Sequence, residues 1–93
     1  METSEFLRLQ GLELELRAMR WRDERDAAFV AWLIQNHASL DDHHLACGFA
    51  IAGELNMKGI RDLARRYAQA SNLLVRVAAS GLLAVHDEKG WRD

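Results

Sequence analysis

The stretch His43–Leu55, HHLACGFAIAGEL, decides the fold. Wound as a helix it is apolar on nearly every side, and a helix apolar on every side is buried on every side. It is rich in small residues (Ala46, Gly48, Ala50, Ala52, Gly53), which let neighbouring helices approach closely. Ser39 with Asp42 three residues later resembles a capping box at its start, and the turn at His37 to Ser39 precedes it. The stretch Leu73 to Val85 has the same all-round apolar character, with Ser71 or Asn72 as its cap. Between the two lies Ile60 to Gln69, which is amphipathic. Ile60, Leu63, Ala64 and Tyr67 claim its dry side and Arg61, Arg65 and Arg66 its wet side.

Upstream, Arg22 to Asn36 opens on Asp23, Glu24 and Asp26, acids that suit the positive end of a helix dipole. Phe29, Val30, Leu33 and Ile34 form one face, widened by Trp32. In the first segment Phe6, Leu9, Leu12, Leu16 and Met19 are spaced as a helical stripe. Leu12, Leu14 and Leu16 also alternate, and Gly11 costs a helix interior about 1 kcal/mol, which leaves a short strand open. Residues 5–36 form either one helix or two. The 93 residues contain no proline, so no hard helix breaker exists. The reading is an all-α fold of four to five short helices: two stacked helical hairpins plus an N-terminal helix over residues 1–20, in one domain spanning 1–93.

An amphipathic helix followed by a buried one occurs twice. Lys58-Gly59-Ile60-Arg61-Asp62 returns as Lys89-Gly90-Trp91-Arg92-Asp93, and Trp21-Arg22-Asp23 reads as an earlier copy. A shift of 33 residues also sets Ala46 on Ala79, Gly48 on Gly81 and Phe49 on Leu82. Residues 21–59 and 60–90 are thus candidate internal repeats of helical-hairpin size. Leu45-Ala46 with Gly53-Glu54 resembles the first helix of a tetratricopeptide repeat. Val75-Arg76 followed by Ala78-Ala79 resembles the second helix of a HEAT repeat. The resemblance implies a surface built to bind protein.

Composition narrows function. A hydrophobic fraction of 49% and a charged fraction of 28% describe a globular chain, and a net charge of -2 gives no global pull toward nucleic acid or anionic lipid. Residues 58–76 are locally basic, with five cations against Asp62. The single Cys47 excludes an internal disulfide and fits a reducing compartment. No apolar run reaches the roughly 20 residues of a membrane span, so a cytoplasmic protein with no membrane contact is expected. His43, His44 and Cys47 are the only metal-like cluster. They lack paired-cysteine spacing and read as cap and core, so no metal and no cofactor is expected. Nucleophile elbows and phosphate-cradling loops are absent, so no enzyme is expected.

The reading is a non-enzymatic protein–protein interaction module: an adaptor, small chaperone, inhibitor or assembly subunit. Its partner-binding candidates are Arg61, Arg65, Arg66, Arg76, Trp21 and Trp91, with the two tryptophans partly exposed. A protein partner is expected, and a homodimer is allowed. The alternative is a DNA-binding regulator. Ile60 to Ala68 resembles the first helix of a helix-turn-helix, and residues 60–80 supply cations for phosphates. Against it, the second helix is too apolar to read base edges.

Overall fold

The computed structural model describes all residues, Met1–Asp93. It holds six α-helices and no strand: α1 (Thr3–Arg8), α2 (Gly11–Glu24), α3 (Ala27–Asn36), α4 (Asp42–Ala52), α5 (Lys58–Tyr67) and α6 (Leu73–Glu88), with a 3-10 turn at His37–Ser39. The class is all-α, as expected, with six helices rather than four or five. No helix is long and apolar enough to cross a membrane.

The extra helices arise from two backbone breaks. Leu9 and Gln10 are extended, and Gly11 has φ +57, a conformation that glycine adopts without strain. Residues 5–36 therefore form three helices, neither one nor two, and no strand. The second break is at Arg25, which takes φ 50. Asp26 then caps α3, its carboxylate accepting the Phe29 N–H at 3.1 Å. The first break re-phases the apolar stripe. Phe6 and Leu9 point inward, but Leu12, Leu16 and Met19 are 67%, 55% and 60% exposed. Their places are taken by Leu14, Ala18 and Trp21, all buried. Phe6 centres this end of the core, edge-on to Phe29 at 5.0 Å and to His44 at 5.3 Å.

Capping differs in one place. Asp41, not Ser39, caps α4, accepting the His44 N–H at 2.8 Å. The Ser39 hydroxyl instead donates to the Asn36 carbonyl. Asn72 caps α6, accepting the Val75 N–H at 3.1 Å. Such caps contribute about 1 kcal/mol each.

Helix α4 lies between α2 and α6, and the three run in the same direction. Asn72 donates to Asp42 at 3.0 Å, joining the N-terminal ends of α6 and α4. Lys89 and Glu54 pair at 3.1 Å past their C-terminal ends. His43 meets Glu15 of α2 at 3.3 Å, and the His44 Nε2 lies 2.9 Å from the Leu9 carbonyl. Chain direction can be regained between parallel helices only by return elements, and α3 and α5 are those returns. They pack on one side of the layer, α5 against α6 and α3 against α4 and α5. The architecture is thus a layer of three parallel helices backed by two more. α2 packs on α4 far more extensively than α3 does, so α2 belongs to the layer and is not an appendage.

Helices α2, α4 and α6 begin at residues 11, 42 and 73, and α3 and α5 at 27 and 58, so every step is 31 residues. The caps Gln10, Asp41 and Asn72 keep this spacing. The candidate repeats 21–59 and 60–90 are out of phase with it. The counterpart of Lys58–Asp62 is Ala27–Ala31 at the start of α3, not Trp21-Arg22-Asp23. A step of 31 pairs Gly48 with Ala79 and Ile51 with Leu82, all buried, whereas a step of 33 pairs buried Gly48 with exposed Gly81.

Gly48 and Gly81 separate packing from helix propensity. A Cβ on Gly48 would lie 2.8 Å from Cδ1 of Leu33, which is fully buried. A Cβ on Gly81 meets nothing within 4 Å. Gly81→Ala is expected to stabilise by about 0.5–1 kcal/mol. Gly48→Ala gains the same propensity but must displace Leu33, at about 1–3 kcal/mol, for a net loss. Urea melts of both variants check this. Equal effects in the two would contradict the close α3–α4 approach.

Candidate functional site

The layer is covered by α3 and α5 on one side only. On the other, α2 and α6 form the walls of a channel floored by α4. One part, of about 230 Å3, is bounded by Met19 and Ala18 of α2, Ala46, Cys47 and Ala50 of α4, and Leu74 and Ala78 of α6. It continues along α4 past Gly53, with Gly81 and Val85 of α6 as its wall. Glu15 with His43 marks one end, and Arg22 and Glu54 lie toward the other.

The 31-residue step explains this face. It superposes Leu12, His43 and Leu74; then Leu16, Cys47 and Ala78; then Met19, Ala50 and Gly81. These nine positions are one face of three consecutive parallel helices. Bulky residues stand on the α2 wall, and small ones on the floor and most of the α6 wall, which opens the channel. Exposed leucine and methionine beside a small-residue floor can bind an apolar segment.

The channel has little reactive chemistry. Burial pushes the Cys47 thiol up to about 11, with the Glu15 and Asp41 carboxylates adding to the shift. It is therefore a protonated thiol near neutral pH, a poor nucleophile and a poor metal ligand. His43 turns to Glu15. The His44 ring is engaged at both nitrogens, Nδ1 by Asp41 at 2.9 Å and Nε2 by the Leu9 carbonyl at 2.9 Å. Both partners are acceptors, so neither ring nitrogen is left free to hold an ion. His43, His44 and Cys47 are thus spent on separate contacts, and no three His, Cys, Asp or Glu side chains are grouped to hold an ion.

The partner-binding candidates scatter. Arg61 is buried, not on the wet side of its helix. It donates from Nε to Asp93 at 3.0 Å, and from Nη1 to Asn56 at 2.7 Å and to His86 Nδ1 at 3.2 Å. Arg65 is exposed but tied to Asp62 at 2.8 Å and Asp93 at 2.7 Å. Trp91 is half-buried, edge-on to His86 at 5.0 Å. Arg61 and Arg65 share Asp93, and with Trp91 packed on His86 they pin the last residues to α5 and α6. Trp21 is buried beside Phe6, not partly exposed. Arg66 and Arg76 are exposed, and neither joins an ion pair. Helix α6 is not enclosed: Leu73, Leu74 and Val77 are 63%, 48% and 59% exposed. Periodicity alone places Leu12, Leu16, Met19 and Leu74 inward, because apolar residues are ordinarily buried, yet all four are exposed. Extending the 31-residue spacing back to Gly11 would have aligned them.

His86 gives the structure a pH dependence. Its Nδ1 accepts from Arg61, so the ring hydrogen sits on Nε2, buried without a partner. Burial, then the Arg61 guanidinium, hold its pKa below the ordinary 6.5. Burial and Arg66 do the same to His37, whose Nδ1 lies 2.7 Å from the Tyr67 hydroxyl. A histidine with a lowered folded pKa contributes stability above 6.5, which is lost as the unfolded chain takes up protons below it. The melting temperature is expected to fall between about pH 7.5 and 5. His86→Gln keeps an acceptor for Arg61 and should flatten part of that slope. A slope unchanged in the variant would contradict the assignment.

No family model, curated protein or solved structure matches this chain.

Proposed function

We propose that this chain is a non-enzymatic helical-repeat module that binds a partner protein through the open face of α2, α4 and α6. The observation that carries this reading is the small-residue channel bounded by exposed Met19 and Leu74, with Leu12 and Leu16 exposed beside it on α2. Covering each of these half-exposed side chains contributes on the order of 1–2 kcal/mol. The 31-residue period of helix starts supports the helical-repeat assignment, since stacked hairpin units bury a continuous core and present one helix face in register. The expected ligand is an apolar segment of a partner protein, flanked by charges that meet Glu15 at one end and Arg22 at the other.

The competing reading is DNA binding through α5 and α6, and exposed Arg76 and Ser80 favour it. Three features favour protein instead. The accessible surface of α6 is led by Leu73, Leu74 and Val77. Arg65 is already neutralised by Asp62 and Asp93, and Arg61 is buried. Asn72 is occupied by its capping bond and by Asp42.

The test is quantitative affinity purification from the native host, using the wild type, Met19→Glu and the double variant Arg65→Glu/Arg66→Glu as baits. Met19 and Arg66 are exposed and unpaired, whereas Arg65→Glu also gives up the pairs with Asp62 and Asp93, so the helical circular dichroism of each bait is matched to the wild type first. The expected result is a protein recovered with the wild type, lost with Met19→Glu and retained with the double variant. Recovery indifferent to Met19→Glu, or salt-sensitive DNA binding lost in the double variant, would overturn it in favour of the basic surface.

A further inference from the structure

A second surface lies at the edge of the layer. On α6 the residues Leu73, Val77, Ser80 and Ala84 are all exposed and stand at spacings of 4, 3 and 4, the seam of a helix pair. The 31-residue step places them on Asp42, Ala46, Phe49 and Gly53 of α4. Ala46, Phe49 and Gly53 are buried, and Phe49 and Gly53 face Ala78 and Leu82 of α6. The outer side of α6 is therefore the side on which, one unit earlier, a further helix packs.

The opposite edge of the layer is finished differently. There α2 presents Glu13, Arg17, Arg20 and Glu24, the counterparts of His44, Gly48, Ile51 and Leu55 on α4. Arg17 is paired with Glu5 of α1, and Glu13, Arg20 and Glu24 are exposed, so this edge is charged, with exposed Leu16 beside it. An array with one polar edge and one apolar edge cannot stack head to tail, because apolar would meet charged. The apolar edge can be covered by its own copy through a closed two-fold contact.

We propose that α6 packs antiparallel against α6 of a second copy across a two-fold axis near Ser80. Small residues at the crossing let the helices approach, and each Val77 lies against the second copy's Ala84. Charge fits this arrangement. Arg76 and Asp87 are 11 residues apart, about three helical turns, and so share one flank of α6. Arg76 has no ion pair within the chain, and Asp87 is held only by exposed Arg92. In an antiparallel pair the same flanks meet, so each Arg76 approaches the second copy's Asp87, twice per dimer. A pair of 16-residue helices is about 24 Å long and lies at the small end of stable interfaces. The dissociation constant is accordingly expected in the micromolar range.

Sedimentation velocity of the full chain from about 1 to 500 µM tests this. The wild type should pass from monomer to dimer, and Val77→Glu should stay monomeric with an unchanged helical circular dichroism spectrum. Arg76→Asp should weaken the dimer about three- to fivefold, and Arg76→Asp/Asp87→Arg should restore it. Met19→Glu, on the channel face, should leave the dimer intact. A wild type that stays monomeric overturns the proposal, as does a dimer that survives Val77→Glu. A dimer lost in Met19→Glu instead would place self-association in the channel. Because the two faces are separate, either result leaves the purification experiment on the channel to stand or fall by itself.

Discussion

The burial of α4 between two helices that run in its own direction is the constraint from which the rest of the structure follows. Parallel neighbours cannot be joined by a tight turn, so α3 and α5 carry the chain back, and both lie on one side of the layer. That alternation fixes the 31-residue step and leaves the other side of the layer bare. The close packing of α4 selects its small residues. Gly48 lies under Leu33, and Ala46 and Ala50 face the channel because larger side chains there would fill it. The same residues that permit the packing produce the channel.

Polar interactions lock the ends of this layer. Asp41 and His44 join the start of α4 to the link between α1 and α2. Asn72 and Asp42 set the register of α6 on α4. At the other end Arg61, buried with Asn56, His86 and Asp93, fastens the last residues to α5 and α6. Removing one partner from a buried charge leaves it uncompensated, which explains why Arg61 is so fully engaged. Of the cations in residues 58–76, Arg66 and Arg76 stand outside these locks, and Arg76 lies beside the exposed edge of α6.

Much of this was legible in the sequence. The all-round apolar character of His43–Leu55 marked α4 as the centre, and the dry side of α5 was read correctly at Ile60, Leu63 and Ala64. What failed has local causes. Periodicity was carried through Gly11, although its positive φ restarts the helix and turns Leu12, Leu16 and Met19 outward. Arg61 was assigned to solvent because arginine prefers it. Its burial depends on Asp93, 32 residues away, a pairing no local pattern reveals. Leu73 to Val85 was read as enclosed because apolar residues on every side normally mean burial. Here nothing within the chain covers the outer side of α6. Trp21 was judged by its charged neighbours in sequence, whereas Phe6 receives it in space.

The central claim is that α2 turns Leu12, Leu16 and Met19 outward onto an open face shared with Leu74. Methyl NMR with a soluble paramagnetic agent measures this directly. Strong relaxation enhancement is expected at the methyl groups of those four residues and little at buried Leu14, Leu33 and Leu82. Protection of Leu12, Leu16 and Met19, with Leu14 attacked, would show that the apolar stripe faces the core and that no open apolar face exists.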